Sequence, residues 1–201
     1  MSSSPYTLES EGTLDLAVKV STWPPARWVH NTCRPGDLVT FRFGGDFYYP
    51  PLKSKSEEAH SLLLVAGGVG INPLYSILQH VHHIKKSEIC SEADGVTLLY
   101  SAATRDELIF RQNIDKMTFS HHDIRSNYFV TREQNINDEA VISRRITKSD
   151  LASCLDKENS EGAKKNTICY LCGPPGMVVQ IRLWLQELGV PPQNVKFELW
   201  W

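Results

Sequence analysis

The chain has 201 residues, of which 41% are hydrophobic and 22% charged; these are ordinary globular values that exclude extended disorder, a collagen-like repeat and a coiled coil. With 21 Lys plus Arg against 23 Asp plus Glu, the formal net charge is -2, so no basic footprint for nucleic acid or anionic lipid is present. A soluble protein with a small ligand is expected, built as one domain or as one domain and part of another.

At the N-terminus, Met1-Ser2-Ser3-Ser4-Pro5 lacks the basic segment and apolar core of a secretory signal and any Arg-rich import stretch. The next segment reads as β: Leu14, Leu16, Val18 and Val20 alternate with polar or small residues, a short helix-like stretch follows Pro24-Pro25, and a second strand is expected at Leu38 to Phe43 after Pro35-Gly36-Asp37. Residues 44–60 mix Gly, Pro and charge without a period and read as a linker.

From Ser61 onward, short apolar runs recur at intervals with helical patterns between them, as in βα units of a parallel sheet. Five strands are expected, at Leu62–Ala66, Val96–Ser101, Asn127–Thr131, Thr167–Cys172 and Val195–Leu199. Their near-continuous apolar character suits burial on both faces. In the first helix, starting at Pro73, Leu74, Ile77, Leu78, Val81 and Ile84 form one apolar face. The last helix, Gly176 to Leu188, carries Val178, Ile181, Leu185 and Leu188 on a stripe, with Gly189 placed to end it. Residues 156–166 read as a solvated loop. No apolar run approaches the roughly 20 residues of a membrane-spanning helix. The five cysteines, Cys33, Cys90, Cys154, Cys169 and Cys172, are odd in number and unevenly spaced, so free thiols in a reducing intracellular compartment are expected.

Two segments carry chemistry. In Leu62-Leu63-Leu64-Val65-Ala66-Gly67-Gly68-Val69-Gly70-Ile71-Asn72-Pro73, a buried strand runs through three glycines into a helix, which brings backbone N–H groups and a helix dipole to bear on an anion such as a diphosphate. A tight strand-to-helix turn with no ligand accounts for the same glycines. In Cys169-Tyr170-Leu171-Cys172-Gly173-Pro174-Pro175-Gly176-Met177, a second strand again ends in a Gly/Pro turn and a helix start. In an open parallel sheet both turns fall at the carboxyl edge, where such folds bind ligands. Cys169 and Cys172, three apart on a strand, point to opposite faces and do not suit a disulfide. The histidines at 80, 82, 83, 121 and 122 have no acidic or Cys ligand at metal-site spacing. Neither a Gly-x-Ser-x-Gly elbow nor a Walker-type lysine motif occurs.

Taken together, the Gly67-Gly68-Val69-Gly70-Ile71-Asn72-Pro73 turn and the Cys172-Gly173-Pro174-Pro175 turn resemble the nucleotide-binding domain of the ferredoxin–NADP reductase superfamily. The aromatic end Phe197-Glu198-Leu199-Trp200-Trp201 is similar to that family's chain end as well. The resemblance implies a five-stranded parallel nucleotide-binding sheet with helices on both faces over 60–201, preceded over 1–59 by a partial antiparallel β-barrel of the flavin-binding type. It implies a dinucleotide whose pyrophosphate lies on residues 67–73 and whose nicotinamide lies by Cys172, Gly173, Pro174, Pro175 and Met177. Hydride transfer to a flavin or another acceptor follows, with Cys172 flanking the reactive ring. A small residue packed at a crowded strand end is the other reading of Cys172. Trp200 or Trp201 would cover the flavin or nicotinamide face, or else dock on the core. At Thr131-Arg132 the family's NADPH enzymes use a Ser-Arg pair on the 2′-phosphate, and Arg144-Arg145 follow nearby; Glu133 and Asp138 oppose an added dianion, which leans the expectation to NAD with NADP open. FAD is not expected to be held by this chain, because the family's flavin motif is not found and Pro24-Pro25 donate no N–H at the turn that would cradle its diphosphate. A non-catalytic NAD(P)-binding or interaction module is therefore the alternative function. An electron-acceptor protein as partner and a mitochondrial location are further implications of the resemblance alone.

Overall fold

The computed structural model describes residues 1–42, 44–49, 60–87, 93–134, 137–155 and 166–199. Its centre is a sheet of six parallel strands: β1 (His60–Gly67), β2 (Ala93–Ala102), β3 (Ile124–Val130), β4 (Val141–Ile142), β5 (Thr167–Gly173) and β6 (Val195–Leu199), in the order β4-β3-β2-β1-β5-β6. The sixth strand is β4, which pairs Val141 and Ile142 with Tyr128 and Phe129. Two residues are too few to leave a periodic signal, so five strands were legible and this one was not.

Alternate residues of the central strands feed two cores. Leu62, Leu64 and Ala66 of β1, Val96, Leu98 and Tyr100 of β2, and Tyr170 and Cys172 of β5 pack against α3 (Ile71–Lys86) and α4 (Arg111–Ser120). On the opposite face Leu63, Val65, Leu99, Phe129, Cys169 and Leu171 pack against α5 (Lys148–Leu155) and α6 (Pro175–Glu187). Both faces are covered, which is why the strands read as unbroken apolar runs. The expected stripes are the buried ones: Leu74, Ile77, Leu78 and Val81 on α3, and Val178, Ile181 and Leu185 on α6. Gly189 takes φ 88 just beyond α6, the left-handed stop its position predicts.

Before His60 the structure departs from expectation. Pro5–Glu11 is a short helix, α1, closed by Gly12 at φ 67, and Pro24–Asn31 is α2. Leu14–Val20 and Leu38–Phe43, expected as barrel strands, belong to no ladder in their described residues, Phe43 lying outside them. The backbone of the first segment bonds elsewhere. Asp15 exchanges bonds with Ser2 and Ser3, the Ala17 carbonyl accepts from Asn72 Nδ2 at 2.7 Å, and the Val18 carbonyl lies 2.8 Å from His30 Nε2. A period of two shows which side chains share a face, whereas a strand also needs a partner edge. In the segment expected as a linker, Phe47 and Tyr49 pack edge-on against Tyr170, whose hydroxyl donates to the Tyr48 carbonyl at 2.7 Å. This ties the N-terminal region to the sheet.

Candidate functional site

β1 and β5 are adjacent and parallel, so their exit turns leave the same edge of the sheet side by side. They touch through glycine. A Cβ on Gly67 would stand 2.8 Å from Met177 Cε and Sδ and from Pro174 Cδ, and a Cβ on Gly70 would stand 2.2 Å from the Cys172 carbonyl oxygen. The absence of those carbons lets α6 start against the end of β1. Gly68 differs from both: its φ is +53, a left-handed conformation glycine tolerates, and nothing lies within 4 Å of its missing Cβ. Gly68–Gly70 form a single 3-10 turn that leads into α3 at Ile71, two residues ahead of the start expected at Pro73.

This meeting point opens into a cavity of about 540 Å³, within the range of small-molecule and cofactor sites. Of the residues singled out from sequence, Gly67, Gly68, Thr131, Arg145, Pro174, Gly176 and Met177 line it. Val69, Ile71, Asn72, Pro73 and Pro175 belong to the same two turns without forming its wall, Gly70, Cys172 and Gly173 lie packed behind it, and Arg132 is exposed directly after β3. Sequence reasoning missed Lys19, Glu107, Ile146 and Trp184 in the wall. Lys19 sits on a polar position of an alternating segment and carries no local signal for a site 50 residues away. Its ammonium bonds Glu107 at 2.7 Å across the cavity mouth.

The charges around the β3 end are arranged in pairs. The Glu133 carboxylate accepts the Arg105 backbone N–H at 2.5 Å and lies 3.4 Å from Arg105 Nε. Asp138 is held bidentately by Arg111 at 2.7 and 3.3 Å, and that guanidinium keeps its carboxyl below the ordinary range. Arg144 chelates Asp150 at 2.6 and 2.8 Å. The two acids that counted against a phosphate at this end are therefore each engaged by an arginine.

Cys172 is fully buried in the core on the α3 side, and burial, reinforced by the nearby Glu198 carboxylate, pushes its thiol up to about 12. Cys169 is buried on the opposite side and is raised to about 12 by burial as well. Both thiols are neutral at physiological pH, so neither is a nucleophile, and their opposite faces match the reading from strand geometry. Trp200 and Trp201 lie outside the described residues. His83 stacks on Tyr6 and His80 meets Tyr49 edge-on; among the described residues no group of three or more His, Cys, Asp or Glu is placed to hold a metal. At the start of α2, Pro24 and Pro25 lack N–H groups and the Arg27 N–H is bonded to the Trp23 carbonyl. Only Ala26 could offer a first-turn donor there, so these residues do not fit a flavin diphosphate.

One family profile, the oxidoreductase NAD-binding domain, matches residues 64–182, which takes in both turns and the cavity between them. The chain belongs to that family. Oxidoreductase NAD-binding domain-containing protein 1 of Xenopus laevis is 39% identical over 211 residues, covering 99% of this chain and 63% of the relative, so the chain spans less than two thirds of that relative's length. In fold the chain is similar to the flavohem-like FAD/NAD binding domain of nitric oxide dioxygenase from Vibrio cholerae O1 biovar El Tor, with a TM-score of 0.67 and 22% identity over 87% of this chain and 63% of that one. It is likewise similar to a ferredoxin NADP+ reductase from Neisseria gonorrhoeae, with a TM-score of 0.53 and 22% identity over 71% of this chain and 57% of that one. The oxidoreductase NAD-binding domain thus has the ferredoxin reductase-like fold, and its ligand class is a nicotinamide dinucleotide. The glycine turn fits such a ligand: it presents backbone at Gly68 with open space above it, at the entrance to a helix and beside a roomy cavity.

Proposed function

We propose that the chain binds NAD(P)H in this cavity and acts as an oxidoreductase module that delivers a hydride from the nicotinamide to a flavin or another two-electron acceptor. The observation that carries this is the contact of the two turns, Gly67 against Pro174 and Met177, directly beside the cavity. In this reading the Gly67–Pro73 turn and the start of α3 hold the diphosphate, and the Lys19–Glu107 ion pair forms part of the cavity wall. Thr131 and Arg132 face the adenosine half. Gly173, Pro174, Pro175 and Met177 shape the nicotinamide end, and Cys172 positions it from behind as a neutral packed thiol. The bound cofactor supplies the redox chemistry, a proton with two electrons leaving the reduced ring. The chain's own part is to orient the ring and exclude water.

A second reading, a non-catalytic dinucleotide-binding module, is favoured by the proline start of α2. Calorimetric titration with NADH and NADPH, followed by oxidation of the bound nucleotide with a quinone, which takes two electrons, in the presence and absence of added FAD, separates the two. Binding with acceptor reduction supports the oxidoreductase, and binding without it supports the module. Gly68→Val, which forces a β-branched side chain into φ +53, is expected to abolish binding while lowering Tm by only a few degrees. Undiminished binding in that variant would overturn the assignment of the turn.

A further inference from the structure

The sheet ends at β6: among the described residues β5 lies on one side of it and no strand on the other. Such an edge presents unpaired N–H and C=O groups to a second strand. The opposite edge strand, β4, has two residues and offers no comparable ladder. β6 has five, Val195–Leu199, and they alternate in kind. Val195 packs against the core on the α6 side and the Arg182 guanidinium of α6 lies 3.9 Å over the Phe197 ring, so Val195, Phe197 and Leu199 share that face. Lys196 and Glu198 take the α3 side, where Glu198 pairs in register with Cys172.

Charge on an edge strand repels a second copy where like faces like. In β6 the order of the charges does the opposite. An antiparallel pairing of two copies about Phe197 sets each Lys196 opposite the other copy's Glu198, with Val195 opposite Leu199 and Phe197 opposite Phe197. The strand is therefore complementary to itself in charge and in apolar character.

Helix α6 carries a matching surface. Val178, Ile181 and Leu185 enter the core and Gln180 and Trp184 line the cavity, whereas Val179 and Leu183, one turn apart, point outward. These two are 49% and 50% exposed, and together with Pro192 and Val195 they line a groove of about 180 Å³ beside β6. Neither the core nor the cavity uses this stripe. Because α6 packs over β5 and β6, it stands about half a strand spacing inside the edge. Two copies joined at β6, with their edge strands about 4.8 Å apart, bring the two α6 helices to about 10 Å, a distance at which helices pack.

We propose that the chain forms a two-fold dimer through β6, in which the sheet of one copy continues antiparallel into the sheet of the other and the Val179 and Leu183 stripes of the two α6 helices cover each other. One patch meets its own copy, as a closed two-fold interface requires. The dinucleotide cavity, on another flank of α6, stays open in the dimer.

The test is sedimentation equilibrium on the full chain at low salt, read at the step from one copy to two. Lys196→Glu sets acid against acid at both charge pairs and Glu198→Lys sets base against base, so each should raise the dimer dissociation constant at least about tenfold. An equimolar mixture of these two variants restores both pairs and should dimerise about as well as the parent. Leu183→Glu, on the exposed stripe, should weaken the dimer without changing β6, and it serves if a strand variant folds poorly. In the parent, hydrogen exchange of the β6 amides should slow as protein concentration rises. A parent that is monomeric at every concentration overturns the proposal. So do single-charge variants that pair as tightly as the parent, since association through the exposed side chains before His60 would be unmoved by these charges, and a mixture that pairs no better than its components.

Discussion

The three glycines of the first turn serve different ends, and a single methyl group separates them. On Gly70 it would fall 2.2 Å from the Cys172 carbonyl oxygen, 2.5 Å from that carbon and 2.7 Å from the Gly173 nitrogen. All three are backbone atoms of β5, which is laddered on both sides and cannot give way. Gly70→Ala is therefore expected to cost several kcal/mol, well above the ~1 kcal/mol of an average substitution. That corresponds to a fall in Tm of about 8 °C or more. Gly68→Ala meets no atom and bears only the left-handed backbone penalty of about 1–2 kcal/mol. Thermal unfolding of the two variants reads the difference, and equal losses would mean that the turns of β1 and β5 are not packed together. The motif was visible in sequence, yet its division of labour was not. Whether a glycine makes room for a neighbour or offers its backbone to a ligand depends on β5, about 100 residues further along the chain.

At the scale of elements, the loop that carries Arg145 is anchored by the start of α5. Thr147 precedes the helix and Asp150 lies in its first turn. The Asp150 carboxylate accepts both the Thr147 N–H and the Thr147 hydroxyl at 2.7 Å, and it chelates Arg144 besides. This is the reciprocal half of a capping box, with Asp in the place of the usual Glu, while the Asp150 N–H bonds the Thr147 carbonyl. The Arg144 guanidinium, helped by the Thr147 bonds, holds the Asp150 carboxyl at about 2, below its ordinary 3.8. A depressed carboxylate contributes stability above its unfolded pKa near 4, and that contribution is lost as the pH falls through the folded value near 2. Because Arg144 is 44% exposed, screening limits the contribution to about 1–2 kcal/mol. Asp150→Asn should lower Tm at neutral pH by roughly 2–8 °C and flatten the decline of stability between pH 4 and 2. An unchanged acid limb in urea unfolding would remove the capping role. Thr147-Lys148-Ser149-Asp150 was readable in principle as a helix start, but α5 buries only Leu151 and Leu155, too few for a periodic stripe. Where the stripe was long, as on α3 and α6, element and buried face were both legible.

Across the whole molecule, apolar burial is unevenly shared. The two cores that hold the sheet draw their buried members from residues 62–190, whereas before His60 the buried residues among those described are Ser2, Ser3, Ser4 and Ala26. The alternation at 14–20 and 38–43 predicted a face, and among the described residues much of it is uncovered: Val20 is 72% and Leu38 99% exposed, with Leu16 and Phe41 exposed as well, whereas Leu14 and Val18 are half-buried. Side-chain period was legible there and pairing was not, because pairing depends on edges that the local pattern does not contain. Exposed apolar side chains concentrated in one segment favour association. Light scattering should therefore show the particle mass rising with protein concentration. Paired Leu38→Glu and Phe41→Glu substitutions place charge on this surface without touching either core, so they should suppress the rise and leave Tm within about 2 °C of the parent. A parent that is monomeric at every concentration, or a charged variant that associates just as readily, would show that this surface does not drive self-association. A large fall in Tm would show instead that the segment contributes to the stability of the fold beyond the bonds that the Ala17 and Ser3 carbonyls accept from α3 and the Tyr48 carbonyl accepts from β5.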